Sequence, residues 1–146
     1  MVKFKVKKLK ENAIIPQYAK PGDAGMDLFS TEKYSVNPGQ RVVVSTGIAT
    51  EFPEGYELQV RPRSGLAMKK GISIVNTPGT VDAGYRGEIG IIIINLGQEV
   101  FEINPGDKIA QAVLNKFEVA EIEEASELSE TVRGAGGFGS TGVSKS

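Results

Sequence analysis

Asn76-Thr77-Pro78-Gly79-Thr80-Val81-Asp82-Ala83-Gly84-Tyr85-Arg86-Gly87-Glu88-Ile89 is the stretch around which the rest of this chain can be read. Pro78-Gly79 has the residues of a tight turn, and Ala83-Gly84 bends the chain a second time. Ile72-Ser73-Ile74-Val75 leads in, and Glu88 to Leu96 leaves as an apolar strand, so the stretch reads as a hairpin inside an antiparallel β protein. Between the bends sits Asp82, with Tyr85 three residues on. An acid on a short excursion with a ring close behind can hold a water beside a flat ligand. The same residues also suit a turn Asp that caps its own backbone and a Tyr that packs on the sheet.

Outward from the hairpin the same grammar repeats. Val2-Lys3-Phe4-Lys5-Val6-Lys7 alternates apolar and charged, as an edge strand protected by lysines does. Turns at Val36-Asn37-Pro38-Gly39-Gln40, Pro53-Glu54-Gly55 and Asn104-Pro105-Gly106-Asp107 separate the runs Arg41–Val44, Gly47–Ala49, Tyr56–Val60 and Lys108–Leu114. Glu118 to Glu130 is acidic and weakly periodic, and reads as a last strand followed by an exposed linker. The total is about ten short strands with at most one short helix, an all-β jelly-roll or sandwich. Residues 1–132 form a single domain on this reading, with 133–146 as a Gly-rich arm.

Composition narrows the chemistry. The 146 residues suffice for one domain with a real core, and 18 glycines between short apolar runs favour turns over long helices. A net charge of -1 argues against a binder of polymeric nucleic acid and leaves room for a small anion held by a few arginines. There is no Cys and no His, which removes thiol nucleophiles, thiolate metal sites and the usual general base. Acid–base work falls to Asp, Glu, Lys or Tyr, and any metal is a hard cation on oxygen. The basic N-terminus lacks an apolar run behind it and Ile91–Ile94 is too short to span a bilayer, so the expected compartment is cytoplasmic, away from membranes.

Four further segments carry candidate chemistry. Lys20 to Phe29 is a Gly-punctuated loop with Asp23 and Asp27; Asp27 could face a metal, although loops gather Asp for turn reasons too. Arg61-Pro62-Arg63-Ser64-Gly65-Leu66-Ala67-Met68-Lys69-Lys70-Gly71 reads as a short helix, with Ser64 as N-cap and Gly71 as its stop. Its free N–H groups at Ser64 and Gly65, beside Arg63, suit a phosphate. Gln111 interrupts an otherwise apolar strand, as a structural hydrogen-bonder or a ligand contact. The tail Arg133-Gly134-Ala135-Gly136-Gly137-Phe138-Gly139-Ser140-Thr141-Gly142 formally contains G-x-G-x-x-G. No βαβ unit precedes it and no Gly-Lys-Ser/Thr closes it, so it is neither a dinucleotide fingerprint nor a phosphate loop of the Walker type. Flexible tail and ligand clamp both remain open on composition.

Taken together, five of these segments resemble, in order, the trimeric deoxyuridine triphosphatase (dUTPase) family: Ala24–Leu28, Pro62–Ala67, Asn76–Ile89, Pro105–Gln111 and Arg133–Gly142. Gly84 stands where many members have an acid, and Met26 where many have Tyr. The resemblance implies a distorted jelly-roll subunit in a homotrimer that hydrolyses dUTP to dUMP and pyrophosphate with Mg²⁺, each site drawing on all three chains. On that basis Asp82 would activate the water, and Tyr85 would lie under the deoxyribose. Asn76, Thr80 and Val81 would read the uracil edge. Arg63, Ser64, Gly65 and Gln111 would hold phosphates, and Asp27 would reach the metal through water. Arg133, Ser140 and Thr141 would grip the γ-phosphate, Phe138 would cover the uracil, and Gly139 would be a further substrate contact of the tail. A dCTP deaminase, alone or bifunctional, is the alternative on the same fold.

Overall fold

The computed structural model describes residues 1–145. Twelve strands and one helix follow in order: β1 (Lys5–Lys8), β2 (Gln17–Tyr18), β3 (Met26–Phe29), β4 (Tyr34–Val36), β5 (Arg41–Ser45), β6 (Ile48–Glu51), β7 (Tyr56–Arg61), α1 (Ser64–Lys70), β8 (Ile72–Ile74), β9 (Gly79–Asp82), β10 (Gly90–Asn95), β11 (Phe101–Ile103) and β12 (Lys108–Lys116). All pairings are antiparallel. The largest sheet has five strands in the order β2-β3-β12-β7-β9, and a three-stranded sheet runs β5-β10-β8. β1 with β6 and β11 with β4 form two small ribbons.

The core is built by alternation. Leu58 and Val60 of β7, Ala110 and Ala112 of β12, and Ile91 and Ile93 of β10 point inward and are buried. Val36, Val44, Ile48, Ile72, Ile74, Ile103 and Ile109 complete the same cluster. β-branched residues dominate because a branched side chain packs well on a pleated surface. The outward face of the three-stranded sheet is apolar too: Val43, opposite Ile92, stays 61% exposed.

Three local expectations need correction. Ser64 is the first helical residue rather than the cap: Arg63 takes the cap position in extended backbone, with no side-chain cap hydrogen bond. Gly71 does stop the helix, at φ 69°, where a Cβ would strike the backbone of Gly97. The first bend of the hairpin lies at Val75–Pro78, and Gly79 already opens β9, buried against Val60.

The third correction concerns the segment after β12. No strand forms at 118–130, and Val119, Ile122 and Leu128 are 82%, 94% and 89% exposed. A strand needs a neighbour for its N–H and C=O groups, and this segment pairs with none in its own chain. Among the described residues no helix is long and apolar enough to cross a membrane.

Candidate functional site: two half-sites on one sheet

The first cleft, of about 530 Å³, is lined by Asp23, Gly25, Asp27, Arg63, Ser64, Gly65, Lys108 and Gln111, among others. Its floor is set by strand register. β12 lies between β3 and β7, so Gln111 faces Asp27 on one side and Arg61 on the other. Lys108 is three residues before Gln111 and would point to the opposite face of a regular strand. A β-bulge between Lys108 and Ala110 supplies the extra residue that turns both side chains into the one cleft.

Charge fills this cleft in a definite order. The Asp27 carboxylate is nearly buried, and it lies 3.1 Å from Lys108 Nζ and 3.6 Å from Arg63 Nε. Arg63 Nη1 also donates to the carbonyl of Lys108 at 3.2 Å, which fixes the guanidinium over the bulge. Gln111 Nε2 donates to Pro62 O at 2.9 Å, and its Oε1 lies against Gly25, where a Cβ would overlap it. Gly25 is therefore required for close approach. Ser64 and Gly65 line the mouth, exposed, with the first-turn N–H groups that a helix leaves unbonded. Lys108 is the residue that reading the sequence missed: its segment is flagged, but nothing in a linear string marks a bulge.

The second cleft, of about 240 Å³, is lined by Thr80, Val81, Asp82, Tyr85, Glu88, Ile89 and Gly90. Asp82 closes β9 opposite Glu57, and the bend after it is held by backbone, Tyr85 N–H donating to Asp82 O at 3.1 Å. The Asp82 carboxylate is left exposed beside the cleft. Tyr85 Oη donates to the carbonyl of Glu88 at 2.8 Å, folding its ring across Gly87, where any Cβ would collide with it. Arg86 ties the bend to β6, donating to Ala83 O at 2.6 Å and reaching Glu51 Oε1 at 3.5 Å. Lys5, through its hydrogen bond, and then Arg86 hold the Glu51 carboxyl below the usual carboxylate range. Asn76 is exposed on the bend above, its amide 3.5 Å from the position of a Cβ on Gly79.

Within one chain the two clefts do not meet. β3 and β9 are separated by β12 and β7, and the Asp82 level on β7 (Glu57) is four residues from the Asp27 level (Arg61). The tail joins neither cleft. Arg133 Nε donates to Gly136 O at 2.8 Å, successive turns follow to Gly142, and Phe138 projects fully into solvent. Arg133, Phe138, Gly139, Ser140 and Thr141 thus sit on a segment that touches mainly itself.

The donors present suit a divalent metal bound to a ligand's phosphates better than one caged by protein. No group of three or more Asp or Glu residues gathers among the described residues, and Asp27 is the one carboxylate set deep in the first cleft. Mg²⁺ keeps several waters and is commonly held by one or two carboxylates plus phosphates, which this arrangement allows.

Comparison with known proteins gives the family. The deoxyuridine 5'-triphosphate nucleotidohydrolase of Clostridium tetani is 59% identical over 95% of this chain and 96% of its own. That of Wolinella succinogenes is 56% identical over 98% and 96%. Among solved structures, the Staphylococcus bacteriophage 80alpha dUTPase with dUpNHpp superposes at a TM-score of 0.91, with 31% identity over 97% of this chain and 99% of that one. A mutant dUTPase of S. aureus phage phi11, described with a structural Mg(II) ion, reaches 0.80 at 30% identity, over 86% and 97%. The dUTPase family model matches residues 11–142, and the chain belongs to that family.

Proposed function

We propose that this protein hydrolyses dUTP to dUMP and pyrophosphate at a site assembled from both clefts and the tail of different copies in a jelly-roll homotrimer. The observation that carries the reading is the division of the chemistry. A cleft holding Arg63, Lys108, Gln111 and free helix N–H groups, suited to a triphosphate, and an acid-plus-ring pocket suited to a nucleoside lie on one sheet, too far apart to serve one ligand. A second copy would bring them together. The apolar outer face at Val43, Ile92 and Ile94, and a tail that finds no partner in its own chain, both favour such packing.

In this reading Asp82 takes a proton from a water as its oxygen attacks the α-phosphorus. The bond from that phosphorus to the bridging oxygen breaks, and pyrophosphate leaves with the electron pair. Arg63, Gln111 and the N–H groups of Ser64 and Gly65 hold phosphate oxygens, so developing charge is met by donors already in place. Tyr85 packs under the deoxyribose and excludes a 2′-hydroxyl, while Asn76 and the β9 backbone at Thr80 and Val81 read the uracil edge. Arg133, Gly139, Ser140 and Thr141 close on the terminal phosphates, with Phe138 over the base, and the closed site sheds bulk water. Asp27 would hold Mg²⁺ through water, and the metal would supply neutralisation of triphosphate charge.

The deciding experiment is a pyrophosphate-release assay with dUTP, dCTP, dTTP and UTP. Release from dUTP alone, without ammonia from dCTP, is expected. Equal turnover of all four, or deamination of dCTP, overturns the reading.

A further inference from the structure

The corner between β5 and β6, Ser45-Thr46-Gly47-Ile48, grips residues 88 and 89 through four hydrogen bonds. Ser45 Oγ donates to Glu88 Oε2 at 2.6 Å, and Gly47 N–H donates to the same oxygen at 3.1 Å. Thr46 Oγ1 donates to Ile89 O at 2.6 Å, and Ile89 N–H donates to Ile48 O at 2.9 Å. The peptide between Glu88 and Ile89 is therefore held at its N–H edge by Ile48. Its other edge, the Glu88 carbonyl, receives the Tyr85 hydroxyl.

The grip is braced from behind. Lys10 Nζ donates to Ser45 Oγ at 2.7 Å and to Glu32 Oε1 at 2.9 Å, and Thr31 Oγ1 donates to Ser45 Oγ at 2.9 Å. With the Lys10 ammonium arriving at its oxygen, Ser45 directs its one proton to Glu88. Leu9 N–H donates to Gly47 O at 2.7 Å, which seats the N-terminal loop on the same corner. Two of the four bonds end on the Glu88 carboxylate, so this side chain is the main removable part of the grip.

We infer that Glu88 is a positioning residue: clamped by the Ser45–Ile48 corner, it fixes the Glu88 carbonyl and through it the Tyr85 ring that bounds the sugar pocket. The pocket's stringency toward ribose then depends on a carboxylate held by the β5–β6 corner. This rests on the reading of Tyr85 as the wall under the deoxyribose. The clamp itself can be tested without any nucleotide.

The test joins a spectroscopic and a kinetic readout on the full-length protein. Label the four tyrosines with 3-fluorotyrosine and assign the Tyr85 ¹⁹F signal by its loss in Tyr85→Phe. In Glu88→Ala the Tyr85 signal should move toward the position of free fluorotyrosine. In Glu88→Gln, whose amide oxygen still accepts both bonds, it should stay in place. Ser45→Ala, which removes one donor, should shift it partway and carries the test if Glu88→Ala does not fold. The ratio of kcat/KM for dUTP over UTP should fall on the order of tenfold in Glu88→Ala, through gain of UTP turnover, because small displacements of positioning groups have effects of that size or larger. Glu88→Gln should restore it. An unmoved Tyr85 signal in Glu88→Ala and Ser45→Ala overturns the inference, as does Glu88→Gln behaving like Glu88→Ala in a folded protein. A signal that moves as expected while the unaltered protein takes UTP as readily as dUTP sustains the clamp and overturns the role given to Tyr85.

Discussion

Asp82 and Asp27 share one sheet but cannot share one site within a chain: three strand spacings and four residues of rise put them roughly 19 Å apart. Complementation between damaged copies tests the companion expectation, that the hairpin and the tail of one site come from different chains. Take Asp82→Asn with its tail intact, and a second variant ending after Val132 with Asp82 intact. Each pure trimer should be nearly inactive. In a mixed trimer, one site in three joins an intact hairpin to an intact tail, so random one-to-one assembly should restore about a quarter of all sites. Co-expression with two tags, followed by pyrophosphate release from purified mixed trimers, where about a third of the sites should work, is the measurement. Mixed trimers no more active than their parents would mean that the tail closes over its own hairpin.

Asp82→Asn by itself keeps the side chain's size and removes its ability to accept a proton. Turnover of dUTP should fall by about 10²–10⁴-fold, the usual scale for loss of a general base, with nucleotide binding largely kept. Single-turnover kinetics beside a binding titration separates the two. Near-normal turnover would remove Asp82 from the mechanism.

Gly87→Ala should act on a residue it does not replace. The new Cβ would occupy the space of the Tyr85 ring end, so the ring must swing off the pocket. Discrimination against UTP should weaken by about tenfold, while rejection of dCTP, which depends on the base edge, should hold. Competitive turnover of dUTP, UTP and dCTP measures both at once. Unchanged discrimination would show that the pocket tolerates ring displacement.

The Lys10–Glu32 pair makes a prediction in pH. The hydrogen bond from Lys10, then that from Tyr34, holds the Glu32 carboxyl below its ordinary value of 4.5. Its contribution to stability is present above that value and lost as pH falls through the lowered one. Lys10 is raised above 10.5 by the Glu32 hydrogen bond, so its contribution is present below 10.5 and lost as pH rises through the raised value. Thermal melts of the unaltered protein and Glu32→Gln should therefore differ by a constant amount from about pH 6 to 9, and converge in acid. Glu32 is exposed and Lys10 half-buried, so solvent screens the pair and the difference should be small. A gap that widens in acid would contradict the assignment.

What the linear string made legible was whatever local chemistry decides. Period-2 alternation marked β7, an apolar run with one Gln marked β12, and Gly71 marked the helix end, because each is settled within a few residues. The Ser64 cap failed because Arg63, already in extended backbone, filled the position without needing a hydroxyl. The bulge at Ile109 and the addition of Lys108 to the first cleft were not legible, since they depend on how β12 meets β3, some eighty residues away in the chain. The strand expected at 118–130 failed for the converse reason. Val119 and Ile122 suit a strand but six Glu do not, and a strand exists only where a partner edge is offered.

That unpaired segment also divides the molecule electrically. Residues 1–116 hold 15 Lys and Arg against 12 Asp and Glu, whereas residues 117–146 hold 2 against 6. The near-neutral total of -1 is thus the sum of a cationic body and an anionic tether. Separated after Lys116, the body would migrate as a base although the whole chain has an isoelectric point near 5.6. Its attraction for polyanions, masked in the intact protein, would be laid bare.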